Sequence, residues 1–201
     1  LQSGSDTVLK RMNRKYTAEE YLEKCGILRK YYEHPAITTD VIVGFPGETE
    51  AEFSETCEFV KKAAFYEIHV FKYSRRNGTA AAKMPDQIPE AVKGARSDQM
   101  LALGEKHARE YEEYWIGRKM EILLEEPYTA ADGTQWIIGH TPEYVKAAVP
   151  AGSGKSGDTV KGSSRGVSGR TYPGLQGGST ELLSGGKKKV SQSFIVFSCR
   201  S

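Results

Sequence analysis

Three short stretches of this 201-residue chain gather residue types suited to holding a polar ligand. They are Gln2-Ser3-Gly4-Ser5-Asp6, Gly44-Phe45-Pro46-Gly47-Glu48-Thr49 and Tyr73-Ser74-Arg75-Arg76-Asn77-Gly78-Thr79. Glycine lets a backbone turn tightly, while hydroxyl and amide groups satisfy a polar partner. Arg75 and Arg76 can grip a phosphate through paired hydrogen bonds, and they read almost as well as solvated surface charge. Just before the second stretch, Asp40 and Ile42 are two residues apart. On a strand they share a face, with Asp40 able to take a polar group and Ile42 an adenine-like ring. An Asp40 that satisfies backbone or a nearby lysine is an equal alternative. His69, Phe71 and Tyr73 alternate in the same way, although a lone histidine is more often a packed residue than a catalyst. Cys25 and Cys57 lie on helical apolar stripes, and Cys199 is far away, so no metal-ligand spacing is written.

The elements that must position these residues follow from patterning. Thr17 with Glu20 and Thr49 with Glu52 are capping boxes that open two amphipathic helices. Ala36–Phe45 and Tyr66–Ser74 are rich in branched and aromatic residues and end at turn residues, which predicts strands. Strand, helix, strand at this length is a βαβ unit with parallel neighbours. In the first strand Thr39, Val41 and Val43 should pack on helices, leaving Asp40 and Ile42 on the opposite face. Residues 1–6 read as the tail of an earlier strand, with a short helix after them. From Pro89 to about Gly117 one long helix carries Met100, Leu103, His107, Tyr111 and Trp115 at helical spacing. Beyond Arg118, short β segments at Met120–Glu125, Gln135–Gly139 and Tyr144–Val149 predict a small barrel or sandwich.

Composition excludes several classes. With 28 Lys+Arg against 26 Asp+Glu the net charge is +2, and 38% of residues are apolar, as in ordinary globular proteins. Near-zero charge argues against strong unaided nucleic-acid binding. No apolar run suits a membrane span, and three scattered cysteines give no disulfide framework, so a cytoplasmic protein with no membrane partner is expected. The chain opens without Met in what reads as a strand end, which predicts a piece of a longer protein. From residue 151 onward Gly and Ser dominate, with Lys187, Lys188 and Lys189 before the apolar Phe194–Phe197. The expectation there is a disordered or non-native tail.

The blocks LQSGSDTVLKRMNRKYTAEEY, TTDVIVGFPGETEAEF and HVFKYSRRNGTAAAKMPDQ resemble the radical S-adenosylmethionine methylthiotransferases. The third block and GHTPEYVKAAVP look most like the branch that converts threonylcarbamoyladenosine in tRNA to its 2-methylthio form. Sister branches act on isopentenyladenosine in tRNA or on a ribosomal protein aspartate. The resemblance covers about residues 1–150.

It implies an α/β fold: residues 1–117 as the C-terminal part of a partial (β/α)6 barrel, and 118–150 as an incomplete RNA-binding TRAM domain. The tail would be 151–201. It implies S-adenosylmethionine as cofactor, held by Gln2, Ser3, Arg14, Asp40 and Ile42, with Arg14 a candidate for its carboxylate. Tyr73, Arg75 and Arg76 would meet substrate RNA. Two [4Fe–4S] clusters are implied in the whole enzyme, with their cysteines upstream of Leu1 and none in this chain. No catalytic residue is expected within it, so the chain alone should be inactive. Partners would be tRNA and an electron donor such as flavodoxin or ferredoxin, in an oligomeric state the sequence does not give. Two competing readings are a non-catalytic RNA-binding module and a truncated or frame-shifted product.

Overall fold

The computed structural model of the protein describes residues 1–130, 132–168 and 194–198. The chain falls into two units, Leu1–Tyr111 and Glu112–Ser201. The first is α/β. Its elements are α1 (Asp6–Arg11), α2 (Ala18–Tyr31), β1 (Thr38–Val43), α3 (Glu50–Ala63), β2 (Glu67–Lys72), α4 (Ala80–Lys83) and α5 (Glu90–Tyr114). The unit division falls within the last turn of α5.

Local chemistry explains these boundaries. Thr17 and Thr49 each accept a hydrogen bond from the backbone N–H three residues on, and Glu20 and Glu52 reach back to the N-cap amides. The short α4 starts on Thr79, whose hydroxyl accepts from the Ala82 amide. β1 and β2 pair in parallel from Thr38 opposite Glu67 to Val43 opposite Lys72. The opening residues lie along the other edge of β1: the Ile42 amide donates to the Gln2 carbonyl at 2.9 Å. Thr39 Oγ1 donates to the Leu1 carbonyl at 3.3 Å. The two contacts advance together along both segments, so residues 1–3 run parallel to β1. Val41, Val43, Phe53, Val60, Phe65 and Met100 form the heart of the core between sheet and helices.

The second unit is a closed barrel of five strands: β3 (Lys119–Thr129), β4 (Gln135–His140), β5 (Lys146–Pro150), β6 (Thr159–Ser168) and β7 (Phe194–Ser198). Around the barrel the order is β3-β4-β5-β7-β6. β7 runs parallel to β5 and antiparallel to β6, and β6 closes against β3. Ile122, Leu124, Ala147, Val149, Ile195 and Phe197 are buried.

The barrel corrects the expectation of an incomplete β domain followed by an unstructured tail. Two of its five strands come from beyond residue 150. Gly- and Ser-rich sequence still carries a full set of backbone donors and acceptors, and β6 uses them on both neighbours. The apolar content that β6 lacks comes from Ile195 and Phe197 on β7. The remaining parts of the tail expectation, 169–193 with its three lysines and 199–201, lie outside the described residues. Among the described residues no helix is long and apolar enough to cross a membrane.

Candidate functional site

β1 alternates as its sequence requires. Thr39, Val41 and Val43 are buried against the helices, Asp40 is exposed and Ile42 is half-buried. The register sets Asp40 beside His69 and Ile42 beside Phe71. On β2, Ile68 is buried while His69 and Phe71 face the same uncovered side as Asp40, with Phe71 54% exposed. One face of the sheet thus carries a polar rung, Asp40 and His69, below an apolar one, Ile42 and Phe71. No helix of this unit covers it.

The first loop adds Gln2, whose Oε1 accepts a 2.7 Å hydrogen bond from the Tyr16 hydroxyl. Ser3 points the other way. It is wholly buried, its hydroxyl shares a 3.0 Å hydrogen bond with Thr56 on α3, and it also accepts from the Ser5 amide at 3.2 Å. The Gly4 amide donates to the same Thr56 hydroxyl at 3.1 Å. Ser3 therefore fixes the loop to α3, and its hydroxyl is already spent. Arg14 is exposed beyond the end of α1.

A second tether holds this opening. Both terminal nitrogens of Arg11 reach the Glu52 carboxylate, at 2.9 and 2.8 Å, and Thr7 Oγ1 donates to it at 2.6 Å. The Arg11 guanidinium, helped by Thr7 and the Thr49 amide, holds the Glu52 carboxyl down at about 2. α3 thus anchors the first loop through Thr56 and α1 through Glu52.

The second loop is clamped from α5. Glu48 is buried, and its Oε2 accepts from the Gly44 amide at 2.7 Å and from Arg96 at 2.8 Å. Burial still pushes the Glu48 carboxyl up, outweighing those partners. Arg96 also donates to the Glu48 carbonyl at 3.0 Å and to Glu50 at 3.1 Å. Gly44 and Gly47 take the left-handed backbone that glycine permits, with φ of 72° and 74°.

In the third loop the Tyr73 ring packs edge-on against Phe45 at 5.3 Å, and its hydroxyl is shut from solvent without a hydrogen-bond partner among the described residues. Arg75 Nε donates to the Ala82 carbonyl at 2.9 Å, tying the loop to α4. Arg76 is exposed. The structure thus brings Gln2, Asp40, Ile42 and Tyr73 onto adjacent parallel segments. Ser3 and Arg75 work as tethers through the contacts just described.

The donor set does not suit an iron–sulfur cluster. Cys25 and Cys57 are buried on separate helices with thiols that burial pushes up, unlike the thiolates such clusters need. Among the described residues no group of three metal-ligating side chains forms, and Cys199 lies outside them. His107 is buried as well, and that burial makes its imidazole harder to protonate. On the small barrel His140 stacks on the exposed Tyr144 at 5.3 Å and meets Glu125 at 2.8 Å.

Sequence reasoning missed Arg96, Lys93 and the Arg11–Glu52 pair. Glu48 was visible in its loop, but its partner lies 48 residues further on in a helix whose apolar stripe gave no sign of it.

Residues 1–60 match the Radical SAM superfamily. The chain is 44% identical over 161 residues to the threonylcarbamoyladenosine tRNA methylthiotransferase MtaB of Bacillus subtilis (strain 168), covering 80% of this chain and 36% of that protein. It is equally, 44%, identical over 161 residues to a tRNA-2-methylthio-N(6)-dimethylallyladenosine synthase of Acidothermus cellulolyticus, covering 80% and 32%. Against the protein of the same name from Mycobacteroides abscessus it is 48% identical over 124 residues, covering 62% and 24%. The chain spans about a third of the length of the first two relatives.

Proposed function

We propose, from the premise that this chain belongs to the radical S-adenosylmethionine methylthiotransferase family, that its first unit is one wall of the cofactor and nucleoside site of a tRNA methylthiotransferase. The wall would be the C-terminal part of a partial (β/α)6 barrel. The second unit would be the TRAM domain that holds the RNA. The substrate read here is threonylcarbamoyladenosine in tRNA, methylthiolated at carbon 2. Dimethylallyladenosine is the second reading, because relatives carrying that name match at the same 44% identity.

The observation that carries the proposal is the uncovered face of β1 and β2. Functional groups of parallel βα units gather at the carboxyl ends of strands. Here a carboxylate and an imidazole sit one rung below an isoleucine and a phenylalanine. A nucleoside presents ribose hydroxyls and a flat apolar ring in that same order of chemistry. Asp40 and Ile42 would therefore meet S-adenosylmethionine, with Gln2 beside them and Arg14 toward its carboxylate. Ser3 would support that loop from behind. Tyr73, Arg75 and Arg76 would lie toward the RNA.

When bound next to a reduced [4Fe–4S] cluster, S-adenosylmethionine supplies the radical. The described residues of this chain offer no ligands for such a cluster, so the isolated chain should not turn over. Its own residues bind and orient, and the electron donor, flavodoxin or ferredoxin, would serve the whole enzyme.

Titrating the 201-residue chain with S-adenosylmethionine, followed by amide NMR, tests the reading. Shifts should cluster at residues 40–44 and 69–75. Saturable shifts confined to other surfaces, or none at millimolar ligand, refute it.

A further inference from the structure

The first turns of α5 present Glu90, Lys93 and Arg96 at three-residue spacing, one above the other on a single face. That face reaches both strand-end loops. Arg96, with only 7% of its side chain exposed, pairs with a Glu48 carboxylate that is 1% exposed. The same Glu48 oxygen closes the loop by accepting the Gly44 amide. Lys93 Nζ donates to the Tyr73 carbonyl at 3.0 Å, at the end of β2. Its stem fills the space beside Gly44, where an added Cβ would meet Lys93 Cγ at 2.3 Å. Glu90 pairs with Lys72, the last residue of β2, at 2.6 Å.

We infer that Lys93 and Arg96 are positioning residues, forming a brace that fixes the Gly44–Glu48 loop and the β2 end relative to each other so that Ile42 and Tyr73 present one surface. The inference rests on the proposed function, since it deepens the account of that site. A buried ion pair is weak grounds for stability, because two well-packed apolar side chains serve as well or better. What Arg96 adds is geometry. Its NH1 contacts the Glu48 carboxylate and main-chain carbonyl together, so the helix registers both the side chain and the backbone of the loop. Lys93 registers the neighbouring strand end from one turn earlier. Three segments distant in sequence thereby share one rigid frame.

The test uses the whole chain in three forms: unchanged, Arg96→Lys, and the double variant Arg96→Met with Glu48→Gln. The double variant removes both charges yet keeps an acceptor for the Gly44 amide. Amide exchange by NMR reads the loop directly. In the double variant the Gly44 amide should exchange about tenfold faster or more, while Val41 and Val60 amides keep their protection. Arg96→Lys, which keeps the charge but loses the fork, should lie between. Gly44 protection equal to the unchanged chain in a folded double variant overturns the brace. If the double variant fails to fold, Arg96→Lys decides: unaltered Gly44 exchange there overturns it too.

A second arm titrates S-adenosylmethionine into the unchanged chain and Arg96→Lys. Weaker binding, by about tenfold, with unchanged Val41 exchange, supports positioning over plain stability. Equal binding by the two forms overturns the brace's role in presenting the site. Failure of the unchanged chain to bind refutes the proposed function, while the exchange arm still judges the brace.

Discussion

Replacing Glu52 with glutamine isolates one charge at the point where α1 meets α3. Glutamine still caps the helix from this position, so the helix start survives and the charged pairing with Arg11 is lost. The Glu52 carboxyl titrates at about 2 against an ordinary 4.5. At about 1.4 kcal/mol per pH unit, the full drop is a ceiling of about 3 kcal/mol. Arg11 keeps 33% of its side chain in solvent, and screening reduces the expected value to about 1–2 kcal/mol. The folded carboxyl titrates below the unfolded one. Its stabilisation is therefore complete above pH 4.5 and is lost as pH falls towards 2. Neither tryptophan, Trp115 or Trp136, lies on α3. Hydrogen exchange of the α3 amides is the suitable assay. Glu52→Gln should lower their opening free energy by about 1–2 kcal/mol at pH 7 and by almost nothing near pH 2. Arg11→Met combined with Glu52→Gln should cost little more than either alone. A deficit of the same size at both pH values refutes the assignment to Arg11–Glu52 charge pairing.

Gly139→Ala should open the small barrel, because the new Cβ would lie 1.9 Å from the Leu123 carbonyl oxygen; Trp136 fluorescence should report it, and an unchanged melting temperature counts against the pairing of β3 with β4. Gly4→Ala should cost about 1–3 kcal/mol by overpacking, since its Cβ would meet Phe59 Cβ at 2.5 Å and Thr56 Cα at 2.9 Å; amide exchange of α3 measures it. Cys25 and Cys57 should react with iodoacetamide far more slowly at pH 8 in the folded chain than in urea, because burial raises both thiols. Rapid alkylation of either in the native protein would contradict its packing. Phe71→Ser should leave stability within about 0.5 kcal/mol, as for an exposed position, and still abolish the S-adenosylmethionine shifts. Undiminished shifts would separate Phe71 from the site.

The parts of the fold that were legible in the sequence are those decided locally. Thr17 and Thr49 announced their helices through capping boxes, and the alternation from Thr38 to Val43 separated helix-facing from uncovered positions. β6 and β7 were not legible. Backbone pairing depends weakly on side chains when a distant strand supplies the apolar content, and composition alone reads such a segment as unstructured. Ser3 shows another limit. Its position at a strand end suggested a ligand contact, but whether a hydroxyl turns towards the ligand or towards Thr56 is a rotamer decision made by packing. Arg96 carried no local signature, because a buried arginine on a helix reads as surface charge until its partner is known.

The uncovered sheet face is informative because of its residue choices. A face meant only for water does not need an exposed phenylalanine beside an isoleucine, and Phe71 leaves 54% of its surface in solvent. Such exposure forgoes burial worth about 25 cal/mol per Å². On the same strand the first and last positions, Glu67 and Lys72, are exposed charged residues, with Lys72 paired to Glu90. The apolar rung is thus confined to where the loops converge. The first and second loops there are each held by a tether that is wholly or largely buried: Thr56 on Ser3 and Arg96 on Glu48. Fixing loops in this way opposes their conformational entropy at a cost of about 1–2 kcal/mol per residue. A surface that only met water would gain nothing from that order, whereas one that must present several groups together to a rigid ligand would bind more tightly for it.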